Sequence, residues 1–152
     1  MITVTDLSLS YSGTPLFSHV DLQFLRGNCY GIIGANGAGK TTFLRLLQGE
    51  YPYSGTISAS VEFEYFPYEV ANLSRTGLEV VREIAPEAED WEIQRELGLL
   101  DLAERSLELP FSSLSNGERT KVLLAAMFLK ENAFLLIDEP TRLRCISYAV
   151  FC

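Results

Sequence analysis

Eight consecutive residues limit this chain more than any others: Gly34-Ala35-Asn36-Gly37-Ala38-Gly39-Lys40-Thr41. They fit the spacing G-x-x-x-x-G-K-[ST] at every fixed position. Glycines at 34, 37 and 39 leave the backbone free to curl, so that successive N–H groups turn toward one point. Such a nest binds an anion, and a helix opening at its end adds the positive pole of its dipole. The flanks suit a strand–loop–helix unit. Cys29-Tyr30-Gly31-Ile32-Ile33 is a short apolar run, predicted as a strand buried on both faces. Thr41 to Gln48 places Phe43, Leu44 and Leu47 on one helical face, and Gly49 is a natural stop. The pattern predicts a polyphosphate ligand. Gly34, Asn36, Gly37, Ala38 and Gly39 would line it, and Thr42 would stand beside it in the first helical turn. Lys40 would reach the β- and γ-phosphates, and the Thr41 hydroxyl would ligate Mg²⁺.

Length and composition bound the rest. The 152 residues amount to about one domain, 47% apolar and 21% charged, a globular balance. A net charge of −8 disfavours broad attraction to nucleic-acid backbones. The glycine loop is no contradiction, because it works through short-range N–H geometry. The longest apolar run, Val122 to Leu129, falls far short of the roughly 20 residues that span a bilayer. Met1 to Asp6 has no basic stretch ahead of an apolar one, so no secretory signal is read there. Cys29, Cys145 and Cys152 are too few for a disulfide framework. A cytoplasmic unit without direct membrane insertion is expected.

Period-two alternation at Val20, Leu22 and Phe24 predicts a half-buried strand, after a turn at Ser12–Pro15. Thr56 to Phe66 alternates longest, with Ile57, Ala59, Val61, Phe63 and Tyr65 on one side, and is predicted as one antiparallel strand ended by Pro67. Residues from about 70 to 112 read as a helical subdomain. Thr76 and Glu79 have capping-box spacing, Pro86 breaks the first helix, and Asp90–Leu100 and Leu102–Leu107 follow as two more. Ser115 to Lys130 is a further helix and Ala133 to Ile137 a buried strand. His19 is read as a surface histidine in a turn, and Trp91 carries no chemistry.

Two more motifs bear on function. Asp138 and Glu139 follow the last strand, at the carboxyl edge where open α/β sheets keep their ligands. Asp138 suits Mg²⁺ held through water, and Glu139 suits a general base for an attacking water. Leu114-Ser115-Asn116-Gly117-Glu118 opens the long helix. Ser115 and Glu118 have capping-box spacing, and the free N–H groups near Ser115, Gly117 and Glu118 suit a phosphate.

Glycine loop, Leu-Ser-x-Gly-Glu and Ile-Asp-Glu-Pro-Thr, in this order, resemble the ABC ATPases over residues 1–141. The resemblance implies an α/β P-loop NTPase core with an antiparallel β subdomain and a helical subdomain, incomplete at the C-terminus. It implies ATP with Mg²⁺, Lys40 and Glu139 as catalytic groups, and Tyr11 stacked on adenine. It also implies a composite site, in which the signature at Ser115–Glu118 faces the phosphate loop of a second ABC domain or of a head-to-tail copy. Phe63–Tyr68, Leu114–Leu124 and Phe134–Thr141 are most similar to the first ATPase domain of ABC-F proteins of the antibiotic-resistance, ribosome-protecting branch. That likeness implies a ribosome as partner of the intact parent. Tyr68 stands where the family places a metal-sensing glutamine, which puts metal sensing and coupling in question. Beyond Thr141 the resemblance stops. Residues 142–152 read as an aberrant tail in place of the family's continuation and its switch histidine, so a fragment with weak ATP binding and little turnover is expected. A membrane-transporter ATPase subunit and an inactive remnant are the competing readings.

Overall fold

The computed structural model describes residues 1–138 and, as backbone, residues 146–151. Glu139 lies outside the described residues, as do Pro140 and Thr141. The element order is β1 (Ile2–Tyr11), β2 (Thr14–Phe24), β3 (Cys29–Ile33), α1 (Lys40–Leu47), β4 (Ser54–Ala59), β5 (Glu62–Phe66), α2 (Gly77–Ile84), α3 (Asp90–Leu99), α4 (Arg105–Glu108), a 3₁₀ turn (Phe111–Ser113), α5 (Asn116–Phe128), β6 (Ala133–Ile137) and β7 (Ile146–Phe151). Two compact units result, one from Met1–Phe66 with Asn132–Cys152 and one from Pro67–Glu131.

The first unit holds two sheets. β2-β1-β4 is antiparallel throughout. Its hairpin turns on Ser12 and Gly13, both with positive φ, the conformation that matches the twist of a two-residue connection. β1 changes phase part-way. Ile2 and Val4 are buried, then Leu7 and Leu9, because an irregularity at Asp6 inserts a residue. Asp6 has a φ of 52° and donates its N–H to Asp21 Oδ1 at 2.8 Å. Gly55 faces this bulge, with a φ of 98°, and a methyl group there would meet Asp6 O at 2.4 Å. His19 belongs to β2 and not to a turn. It too has positive φ, and its Nδ1 lies 2.6 Å from Asp6 Oδ1.

The second sheet runs β3-β7-β6-β5. β5 and β6 are parallel, and β7 is antiparallel to both of its neighbours, β3 and β6. It follows that β3, β5 and β6 all run the same way. Residues 146–151 therefore form an inner strand, with Tyr30 and Leu136 both level with Ala149. The two sheets and α1 share one core of Ile2, Val4, Leu7, Phe24, Phe43, Leu44, Leu46, Leu47, Phe134 and Leu136. Phe24 links them, packing on Tyr30 at 5.0 Å and on Phe134 at 5.3 Å between ring centroids.

Two further expectations need correction here. Thr56–Phe66 is two strands, β4 and β5, in different sheets, and only the first is antiparallel. The alternation persists across the break because both strands keep the same face toward the core. The other concerns β3, which is not buried on both faces. Tyr30 and Ile32 turn inward, whereas Cys29 and Gly31 are exposed and Ile33 is 78% exposed.

The second unit is helical. Val80, Val81, Ala85, Ile93, Leu97, Val122, Ala125, Ala126 and Met127 form its interior. α2 starts in a complete capping box between Thr76 and Glu79. Gly77 is required by close packing, since a methyl group there would lie 2.6 Å from Ser106 O. The expected helix over Leu102–Leu107 shrinks to the single turn α4. Arg119 ties α5 to the 3₁₀ turn through Phe111 O at 2.9 Å and Ser112 O at 2.6 Å. Trp91 is exposed, with the Arg95 guanidinium over its ring.

Candidate functional site

The glycine loop joins β3 to α1, as the apolar run and the helical face require. Gly37 and Gly39 have φ of 81° and 91°, where a side chain is strained. Gly39 is also the residue from which α1 starts, and its carbonyl accepts the Phe43 N–H at 2.8 Å. A methyl group on Gly39 would meet Phe17 at 3.0 Å and Leu16 at 3.2 Å, so the start of β2 presses on the loop. Asn36, Gly37, Ala38 and Thr41 are exposed, and Gly34 and Thr42 are half-buried. Lys40 folds back, its Nζ donating to Gly34 O and Ala35 O at 3.0 Å each. The ammonium is thus held over the loop. No acidic residue stands in the first turn of α1 to compete with an anion there.

Asp138 follows β6. Its N–H donates to Phe66 O at 3.2 Å, extending the parallel ladder with β5. Tyr65 Oη donates to Asp138 Oδ2 at 2.9 Å. Burial pushes the Tyr65 phenol above its usual range; the hydrogen bond from Arg45 opposes this and Asp138 adds to it. Tyr65 therefore stays a donor at neutral pH. Sheet register sets the loop and Asp138 together. Ile32 pairs with Ser147 and Ile137 with Tyr148, so one step further along β6 brings Asp138 level with Ile32. β3 and β6 are two strand spacings apart, about 10 Å. The glycine loop and the carboxylate thus leave the same edge of the sheet, side by side.

Tyr11 ends β1 opposite Thr14 and is 70% exposed. The residues of that hairpin that meet the loop are Leu16 and Phe17. They were not singled out by the sequence, since apolar residues early in a strand read as core. An apolar cleft of about 430 Å³ adjoins the loop, walled by Phe17, Val20, Phe24, Tyr30 and Phe43, with Lys40 at its margin.

Ser115, Gly117 and Glu118 lie in the second unit. The capping box is complete: Ser115 Oγ accepts from the Glu118 N–H at 3.3 Å, and Glu118 Oε2 accepts from the Ser115 N–H at 2.9 Å. The Ser115 hydroxyl and N–H hold the Glu118 carboxyl below the usual glutamate range. Gly117 is exposed, with open space where a side chain would be. Tyr68, also in this unit, is half-buried.

The donor set fits Mg²⁺. Among the described residues no group of three or more His, Cys, Asp or Glu forms a metal cage. A single carboxylate outside any such group suits a hard ion that keeps most of its waters and leans on substrate phosphates.

The family described as ABC transporter matches residues 17–142. The chain belongs to that family. Among relatives of this ABC domain, the ATP-binding protein Uup-like of Haemophilus influenzae is 36% identical over 90% of the chain and 32% of its own length. ABC transporter F family member 2 of Arabidopsis thaliana is 31% identical over 93% of the chain and 22% of its own length. A solved ATP-binding subunit of an ABC transporter superposes with a TM-score of 0.69 at 27% identity, over 93% of this chain and 67% of that one. The chain spans about a third or less of the curated relatives it matches. It is an ATP-binding ABC ATPase domain with the P-loop NTPase fold that the motifs imply. No helix among the described residues is long and apolar enough to cross a membrane.

Proposed function

We propose that this domain binds ATP with Mg²⁺ at the edge shared by the glycine loop and Asp138. The observation that carries the reading is the Lys40 ammonium held over a left-handed glycine loop, with Asp138 two strands away at the same level. Loop N–H groups from Gly34 to Thr42 receive phosphate oxygens, and Lys40 exchanges its carbonyl partners for them. Thr41 and Asp138 would hold the metal, which would supply positive charge to neutralise the phosphates. Tyr11 stacks on the adenine, and Glu139 orients and deprotonates the attacking water. Ser115, Gly117 and Glu118 offer a helix start to the nucleotide of a second ABC domain or of a head-to-tail copy.

Because such a site is composite, the chain alone is expected to bind ATP and turn it over little. Steady hydrolysis by the purified chain, lost in Lys40→Ala, would overturn that expectation. The parent is read as an ABC-F ATPase acting at the ribosome in the cytoplasm, and resistance to an antibiotic is the narrower form of the same reading. Similarity to ABC transporter F family member 2 and to Uup-like supports it. The likeness to a transporter ATP-binding subunit favours a membrane partner instead. Co-sedimentation of the intact parent with ribosomes supports the first, and co-purification with membranes the second.

A further inference from the structure

We propose that Tyr65 is a positioning residue for the metal-side carboxylate of Asp138, acting through its phenolic hydroxyl; this rests on the Mg·ATP reading above. The tyrosine sits on β5, next to β6, paired with Leu136. Its hydroxyl reaches past the end of the ladder to Asp138 Oδ2 at 2.9 Å. Asp138 is thereby held twice from β5, by its N–H on Phe66 O and by its carboxylate on Tyr65. Two anchors on one neighbouring strand fix both the backbone and the torsion of a side chain that otherwise ends a strand at a sheet edge. A hydrogen bond to an ionised oxygen is charge-assisted and among the stronger kinds.

The ring has a second partner. The Arg45 guanidinium lies 5.8 Å from its centroid, and Arg45 stands on α1, the helix that opens at the glycine loop. Arg45 is itself steadied by Glu50 at 3.9 Å. Tyr65 therefore bridges the phosphate-side helix and the metal-side strand. Displacement of either is felt at the other through one side chain. Groups that orient a metal ligand from outside the coordination shell typically change metal affinity about 10–100-fold when removed.

The test is a Mg²⁺ titration of fluorescent trinitrophenyl-ATP binding to the full chain and to Tyr65→Phe. The phenylalanine keeps the ring against which the Arg45 guanidinium lies and deletes the hydroxyl, with its bonds to Asp138 and Arg45. The expected result is an increase of about tenfold or more in the Mg²⁺ needed for half-maximal binding. Affinity in EDTA is expected to stay within about twofold, since Asp138, the group that the hydroxyl positions, acts on the metal side. In an Asp138→Asn background the same substitution should add no further shift, because its partner is gone. A Tyr65→Phe titration that overlays the wild type overturns the proposal and leaves the nucleotide reading standing. An equal loss of affinity with and without metal also overturns it, because that marks a packing role. A wild-type chain whose nucleotide binding ignores Mg²⁺ overturns the metal reading and this proposal with it.

Discussion

Gly39 is constrained from two directions at once. Its φ of 91° disfavours any side chain, and the space where a Cβ would point is filled by Phe17 and Leu16. Gly37 shares the first constraint but not the second, having open space around it. Gly39→Ala should therefore destabilise the first unit more than Gly37→Ala. A strained backbone costs about 1–3 kcal/mol, and displaced β2 contacts add to it. Urea denaturation of both variants checks this, and equal midpoints would show that β2 does not press on the loop. These residues were legible in the sequence because the loop's chemistry demands fixed types at fixed spacing. Tyr65 was legible only as one more inward residue of an alternating strand. Nothing local announces a hydroxyl partner 73 positions away. Leu16 and Phe17 were hidden for the same reason, since packing against a loop leaves no mark on sequence period.

Helix starts are the elements the chain specifies most fully. Thr76 and Ser115 both cap with a reciprocal glutamate, as the spacing predicts. Thr76→Ala and Ser115→Ala should each cost about 1 kcal/mol of stability. The same boxes give a pH dependence. Glu79 and Glu118 are held below the usual glutamate range, chiefly by Thr76 and Ser115 respectively. A lowered folded-state pKa means the contribution is present above the unfolded glutamate pKa and is lost as pH falls through the folded one. Protection of the amides in the first turns of α2 and α5, relative to their intrinsic exchange rates, should fall as pH drops through and below the usual glutamate range. In the alanine variants that pH-dependent loss of protection should vanish; its persistence there would assign it to other groups. Strands were read less well than helices. Alternation reports which way side chains point and is silent on which strand lies alongside, so β4 and β5 merged into one. The apolar run of β3 implied two covered faces, yet only Tyr30 and Ile32 are turned to the core.

At the scale of the whole molecule, β7 determines how the first unit closes. Three strands run in parallel, and the slot between β3 and β6 takes residues 146–151 in the opposite sense. Residues 146–151 thus satisfy main-chain groups that a gap would leave unpaired. Ile146–Phe151 is an uncharged, β-prone run, and such a pattern does not by itself fix a register. Ala149→Pro removes a donor from the middle of this inner strand. It should lower the melting temperature by several degrees. An unchanged melting temperature would place residues 146–151 outside the sheet. Phe134→Ala is expected to cost about 3–5 kcal/mol, since Phe134 joins Phe24 and Phe63 at the centre of the core.

The central claim is that the glycine loop receives the phosphates of ATP through its N–H groups and Lys40. Isothermal titration of ATP with Mg²⁺ into the full chain, beside Lys40→Ala, measures it most directly. Saturable one-site binding by the wild type, weakened at least about tenfold in a Lys40→Ala chain of unchanged circular dichroism, is the expected result. Equal affinity in the two chains, or no binding by a folded wild type, would contradict it.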